Sequence, residues 1–248
     1  MKRTIFSVLL IALFLSGCKS RLKSFENIKN SPQSVKQLNL TASGLSEFPP
    51  EIGNMIQLTE LNMFRNKLQR IPPEIGNLTV LEKLSFQSNQ LDSLPEEIGN
   101  LKKLKKLNLR FNKLHAVPES IGNLVALEEL DLRNNQLKVL PEDIGFLKNL
   151  EVLYLNDNHL TALPEDLSKL KNLEVLEIGR NQLETPLPQW LGELENLREL
   201  NIAGCGGDAN VPAGIANLRK LEILIIDASQ VLPYEIGRGN SRLQVIVR

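Results

Sequence analysis

An α/β solenoid is the fold this sequence predicts, one parallel β-sheet backed by short helical or 3₁₀ segments, and three observations predict it. Leucines recur as L-x-x-L-x-L, as in Leu104, Leu107 and Leu109, with Asn112 three residues later. Pro95, Pro118, Pro141 and Pro164 stand 23 residues apart, a period that belongs to stacked repeat units. Each unit also carries a second apolar pair, such as Ile98 and Leu101 after Pro95, at the spacing of a helical turn. One such unit cannot bury its apolar face alone, whereas a stack buries a continuous core.

Within a unit, Leu107-Asn108-Leu109 alternates inward, outward, inward, as a strand does, and successive strands should stack in parallel about 4.8 Å apart. The asparagine follows where the chain turns and backbone groups lose their ladder partners. Its amide both donates and accepts, so the column Asn66, Asn89, Asn112, Asn135, Asn158 and Asn181 is expected to satisfy buried backbone groups. Ser43 stands in that place in the first unit and Cys205 in a late one, where a buried thiol serves structure. The return segment from Pro95 to Leu101 opens on proline, which suits a first helical position. Helical segments are wider than strands, so the stack should curve with its sheet inside. Gly53, Gly76, Gly99, Gly122 and Gly145 recur with the repeat and read as turn residues, not as a phosphate loop. Beyond Asn181 the period loosens, and Leu243 and Ile246 supply a last strand whose edge must be managed.

The L-x-x-L-x-L-x-x-N-x-L pattern, with its Leu94-Pro95-x-x-Ile98-Gly99-x-Leu101 continuation, resembles the leucine-rich-repeat family in its 23-residue Ras-group and disease-resistance-like form. The resemblance covers residues 35–248, about nine repeats plus a terminal strand. It implies a horseshoe with a parallel concave sheet and short helical or 3₁₀ convex segments, and a protein-binding role with no partner named.

Residues 1–17 read as an export signal: Lys2 and Arg3, then an eleven-residue run from Ile5 to Leu15 that is apolar except for Ser7 and too short to span a membrane. Leu15-Ser16-Gly17-Cys18 resembles the lipobox of bacterial lipoproteins, which implies a lipid on Cys18 that ties the chain to a membrane. Residues 18–34 then form the lipidated cysteine, a tether and an N-terminal cap, with Leu22, Phe25 and Ile28 spaced for one helical face. The same resemblance implies the outer membrane of a bacterial envelope, because Lys19 follows the cysteine in place of the Asp that in many Gram-negative lipoproteins signals inner-membrane retention, and it leaves periplasmic or surface facing open.

Composition narrows the function. Without residues 1–17 the chain has 27 basic and 29 acidic residues, and so no basic excess to hold nucleic acid. Cys205 is then the one thiol beside Cys18, so an internal disulfide of the fold is not expected. His115 and His159 fall two repeats apart without a third ligand, which implies no metal and no other cofactor. Carboxylate pairs such as Glu96-Glu97 and Glu128-Glu129 recur at solvent positions, so no enzyme is expected.

The positions that the scaffold does not dictate face outward within and just after each strand. Among them Phe64, Arg65, Arg110, Phe111, Arg133, Val152, Tyr154 and Asn156 are the candidate partner-binding residues, because aromatics and arginines dominate binding hot spots. Asp131, Glu177 and Arg180 share that face. Arg110 and Arg133 hold equivalent places in adjacent units, a spacing that invites an anionic group unless Asp131 or Glu129 pairs with them. Ile223, Ile225, Val245 and Val247 read as an outward apolar patch at the C-terminal sheet edge, suited to a homodimer. The sequence therefore predicts a lipid-anchored, non-enzymatic module that binds a protein or peptide on its concave face. An envelope scaffold that self-associates through its sheet edge and a surface adhesin are the alternatives.

Overall fold

The structure is a computed structural model that describes residues 34–206, 210–236 and 240–248. Residues 1–33, where the export signal, the lipidated cysteine, the tether and most of the cap are expected, lie outside them. Ten short strands follow in chain order: β1 (Gln37–Asn39), β2 (Glu60–Asn62), β3 (Lys83–Ser85), β4 (Lys106–Asn108), β5 (Glu129–Asp131), β6 (Val152–Tyr154), β7 (Val175–Glu177), β8 (Glu199–Asn201), β9 (Ile223–Ile226) and β10 (Gln244–Val247). They form one parallel sheet in sequential order. Leu38, Leu61, Leu84, Leu107, Leu130, Leu153, Leu176, Leu200 and Leu224 align in one register, so the leucine column of the sequence becomes a wall of the core.

The return segments are five-residue 3₁₀ turns, such as Glu96–Asn100 and Glu119–Asn123, each preceded by an extended proline. Ile98, Leu101 and Leu104 are fully buried, closing the core opposite the strand leucines. The glycines sit in these turns as the repeat predicts, and they are required there by packing and not by backbone freedom. None of Gly53, Gly76, Gly99, Gly122 and Gly145 has a positive φ, whereas a Cβ on Gly99 would lie 2.5 Å from the carbonyl oxygen of Ser120 in the next repeat. Without a side chain here, successive turns stack backbone against backbone.

The asparagines occupy the layer behind the strands and bond both their own repeat and the preceding one. Asn135 Oδ1 accepts the Leu114 N–H at 3.1 Å, while its Nδ2 donates to the carbonyls of Leu132 at 2.9 Å and Leu109 at 3.1 Å. Asn66, Asn89, Asn112, Asn158 and Asn181 repeat the pattern. Where Cys205 replaces asparagine, the Leu183 N–H bonds the Cys205 backbone carbonyl at 2.8 Å instead. The thiol is wholly buried, and burial followed by the nearby Asp227 charge pushes its pKa up to about 11. Just before each asparagine the backbone turns left-handed, from Ala42 (φ 52°) through Arg65, Ser88, Phe111, Asn134 and Asp157 to Arg180. Their N–H groups bond the next repeat, as Phe111 does to the Arg133 carbonyl at 3.0 Å, which holds them in a conformation that most side chains avoid.

Candidate functional site: the strand face across β5–β8

Each repeat presents outward residues in three columns, one before the inward leucine pair, one within it and one after it. The middle column reads Asn39, Asn62, Ser85, Asn108, Asp131, Tyr154, Glu177 and Asn201, aligned strand to strand. Six of these are short side chains that accept the backbone N–H two residues on. Asn62 accepts from Phe64 at 3.0 Å, Asn108 from Arg110 at 3.1 Å, Asp131 from Arg133 at 3.1 Å and Asn201 from Ala203 at 3.2 Å; Asn39 and Ser85 do likewise. These are Asx-type caps, which a three-residue strand needs where its ladder stops. Within β1–β8, Tyr154 and Glu177 break the rule in consecutive repeats; beyond them Ile225 continues the column without a cap, and the Asp227 N–H bonds Gln230 Oε1 at 2.8 Å. Among the described residues the N–H groups of Asn156 and Gly179 find no acceptor.

A connected cluster stands in place of the caps. Asp131 grips Arg133 with both oxygens, Nη2–Oδ2 at 2.7 Å and Nε–Oδ1 at 3.0 Å, and the guanidinium lies 4.0 Å from the centre of the Tyr154 ring. That combination of a bidentate pair and a cation–π contact fixes the tyrosine. In the next repeat Asn156 Nδ2 donates to Glu177 Oε2 at 2.7 Å, while the buried Asn156 Oδ1 has no partner. Burial pushes the Glu177 carboxyl above its ordinary range; Arg133 pulls it down and Glu199 pushes it further up. The Tyr154 hydroxyl is also raised, by burial first and then by Glu177. Gly179 adds no side chain, and a depression of about 270 Å³ opens there, lined among others by Arg133, Asn156, Glu177 and Arg180.

Six of the eight concave candidates, Arg110, Phe111, Arg133, Val152, Tyr154 and Asn156, fall on or beside β4–β6. Phe64 and Arg65 follow β2, four strands or roughly 19 Å from β6. The open arginine pair is not what forms. Arg133 is neutralised by Asp131, while Arg110 lies 4.4 Å from the Phe111 ring centre and donates to Asn134 Oδ1 at 3.4 Å. Phe111 keeps 43% of its surface exposed, on a backbone that is left-handed. Val175, Gly179 and Glu199 were not among the candidates. The signal that finds this region is the middle column itself, read for departures from Asn, Asp and Ser.

The C-terminal patch is corrected by one residue of register. Ile246 pairs with Ile225, and Val245 and Val247 pair with the core-facing Leu224 and Ile226, so the two valines stand on the inward side. They are 37% and 57% exposed because β10 is the last strand of the sheet. Ile225 does face outward but is only 5% exposed, covered between Asn201 and Ile246 in its column. Ile223 is half-buried. Taking Leu243 and Ile246 as the inward pair slipped the strand by one position, which exchanges its faces.

Among the described residues no group of His, Cys, Asp and Glu could hold a metal, and no helix is long and apolar enough to cross a membrane. Family models described as leucine-rich repeat match residues 56–114 and 96–204. No functionally curated protein matches the chain. Among solved structures it is similar to a leucine-rich-repeat protein of Leptospira interrogans, at 31% identity and TM-score 0.74, over 87% of this chain and 60% of that one. It is similar also to the plant peptide hormone receptor RGFR1, solved in complex with RGF2, at 31% identity and TM-score 0.68, over 86% of this chain and 34% of the receptor. A TDR receptor gives 27% identity and TM-score 0.71, over 86% of this chain and 43% of that one. The chain thus spans less than two thirds of the length of each. The stacked parallel strands, the buried asparagine column and the family matches agree: this chain belongs to the leucine-rich-repeat proteins.

Proposed function

We propose that this chain is a non-enzymatic interaction module that holds a protein or peptide on its strand face, centred on β5–β8, and that a lipid on Cys18 ties it to a bacterial envelope. One observation carries the binding surface. At Tyr154 and Glu177 the chain gives up two backbone caps that six other repeats keep, and places there a tyrosine clamped by arginine and a desolvated carboxylate. Scaffold stability is surrendered where side chains of hot-spot type take its place. The likeness to a receptor solved with a peptide hormone supports the same class of role.

The test offers the full chain, purified in detergent, to a displayed library of random heptapeptides. Selected binders should weaken about tenfold on Tyr154→Ala and keep their affinity on Lys103→Ala, an exposed change on the turn before β4. Binders indifferent to Tyr154→Ala, or an empty selection, would refute the concave-face reading. Protease added to intact cells tests the envelope reading: loss of the repeats means surface display, and protection until permeabilisation means the periplasm. Recovery in the soluble fraction would remove the lipid anchor.

The bare inward face of β10 favours a second reading, self-association through that edge. If it holds, light scattering reads a dimer for the wild type and a monomer for Val247→Asp. A wild-type monomer rejects it.

A further inference from the structure

Strands β5–β8 carry Glu129, Asp131, Glu177 and Glu199 and no lysine or arginine. Two of these charges are met within the protein: Glu129 pairs with Lys106 at 2.6 Å and Asp131 with Arg133 at 2.7 Å. Glu177 and Glu199 have no cation partner among the described residues, although they sit on neighbouring strands. Val175, two residues before Glu177 on the same strand, is in register with Glu199 on one side and with Val152 on the other, and both valines are half-buried on the outward face. The surface is thus an aliphatic strip, Val152–Val175, bordered by two carboxylates that make no ion pair among the described residues, with the Tyr154 ring alongside.

Resting on the concave-face reading above, we infer that this strip is a subsite for a basic side chain, lysine or arginine, of a bound peptide segment. Such a side chain has two parts, and both are matched. Its methylene stem covers Val152 and Val175, and its charged head reaches Glu177 and Glu199. Asp131 holds the Arg133 guanidinium with both oxygens, which offsets its opposition to an incoming charge without cancelling its action on Glu177.

The heptapeptide selection tests this separately from the surface itself. Selected peptides should be enriched in lysine and arginine, and Glu177→Gln/Glu199→Gln should weaken them about tenfold. Replacing the peptide's basic residue by norleucine should do the same, and in the double variant that replacement should cost little further. If peptides weaken on Tyr154→Ala yet show no basic enrichment and survive Glu177→Gln/Glu199→Gln, the subsite is overturned while the concave face stands. If they are indifferent to Tyr154→Ala, both fall. Circular dichroism separates lost binding from lost fold, and the exchanges lie outside the leucine core.

Discussion

Asn135 shows how a single residue couples two repeats. Its amide caps one N–H and shares two carbonyls, and each carbonyl keeps a second asparagine, Leu109 with Asn112 and Leu132 with Asn158. Asn135→Ala therefore orphans only the Leu114 N–H and should cost about 1–3 kcal/mol in denaturant unfolding. Asn135→Asp should cost more, since it presents a carboxylate oxygen to two carbonyl oxygens. Glu177 behaves in the opposite sense. Its folded pKa is raised above the unfolded value, so the fold bears the penalty of its charge at neutral pH and loses that penalty as pH falls through the raised pKa. Glu177→Gln should accordingly stabilise at pH 7, by less than about 1 kcal/mol after solvent screening. Thermal melts at falling pH should show the difference vanish below the unfolded glutamate range near about pH 4.

At the scale of the element, the 3₁₀ turns set how closely repeats approach. A methyl group on Gly99 would lie 2.8 Å from Ser120 Cβ as well as against its carbonyl, and neither atom is a flexible side-chain end. Gly99→Ala should thus cost about 1–3 kcal/mol, against less than about 0.5 kcal/mol for the exposed Lys103→Ala, both read by chemical denaturation. The strands were legible in the sequence because Leu107 and Leu109 alternate with a polar residue at a fixed period. The close stacking was not, because a glycine needed for space and one needed for a turn look identical as letters. The slip in β10 has a similar cause: Leu243, Val245, Ile246 and Val247 are all apolar, so no alternation marks which of them face the core.

For the whole molecule, the repeat made the architecture readable and the site only half so. Arg133, Tyr154 and Asn156 stand out as residues that the scaffold does not demand. That Asp131 caps the backbone and clamps Arg133 at once depends on side-chain geometry that spacing does not encode. The left-handed residues were hidden too, since Phe111 and Arg180 give no sign of φ near 55° in a motif whose glycine appears only at Gly204. In such an array each repeat is completed by its neighbours, so a local loss spreads along the stack before it reaches the far end.

The parallel sheet also acts as a ruler with its own graduation. Its columns advance about 4.8 Å per strand, whereas an extended chain laid across them repeats like-facing side chains every ~6.8 Å. The two scales coincide only about once in seven strands, as the marks of a vernier do. A ligand crossing this face cannot be read repeat by repeat; it can be gripped where the marks meet, and a short run of exceptional residues at Tyr154 and Glu177 is the form such a grip should take.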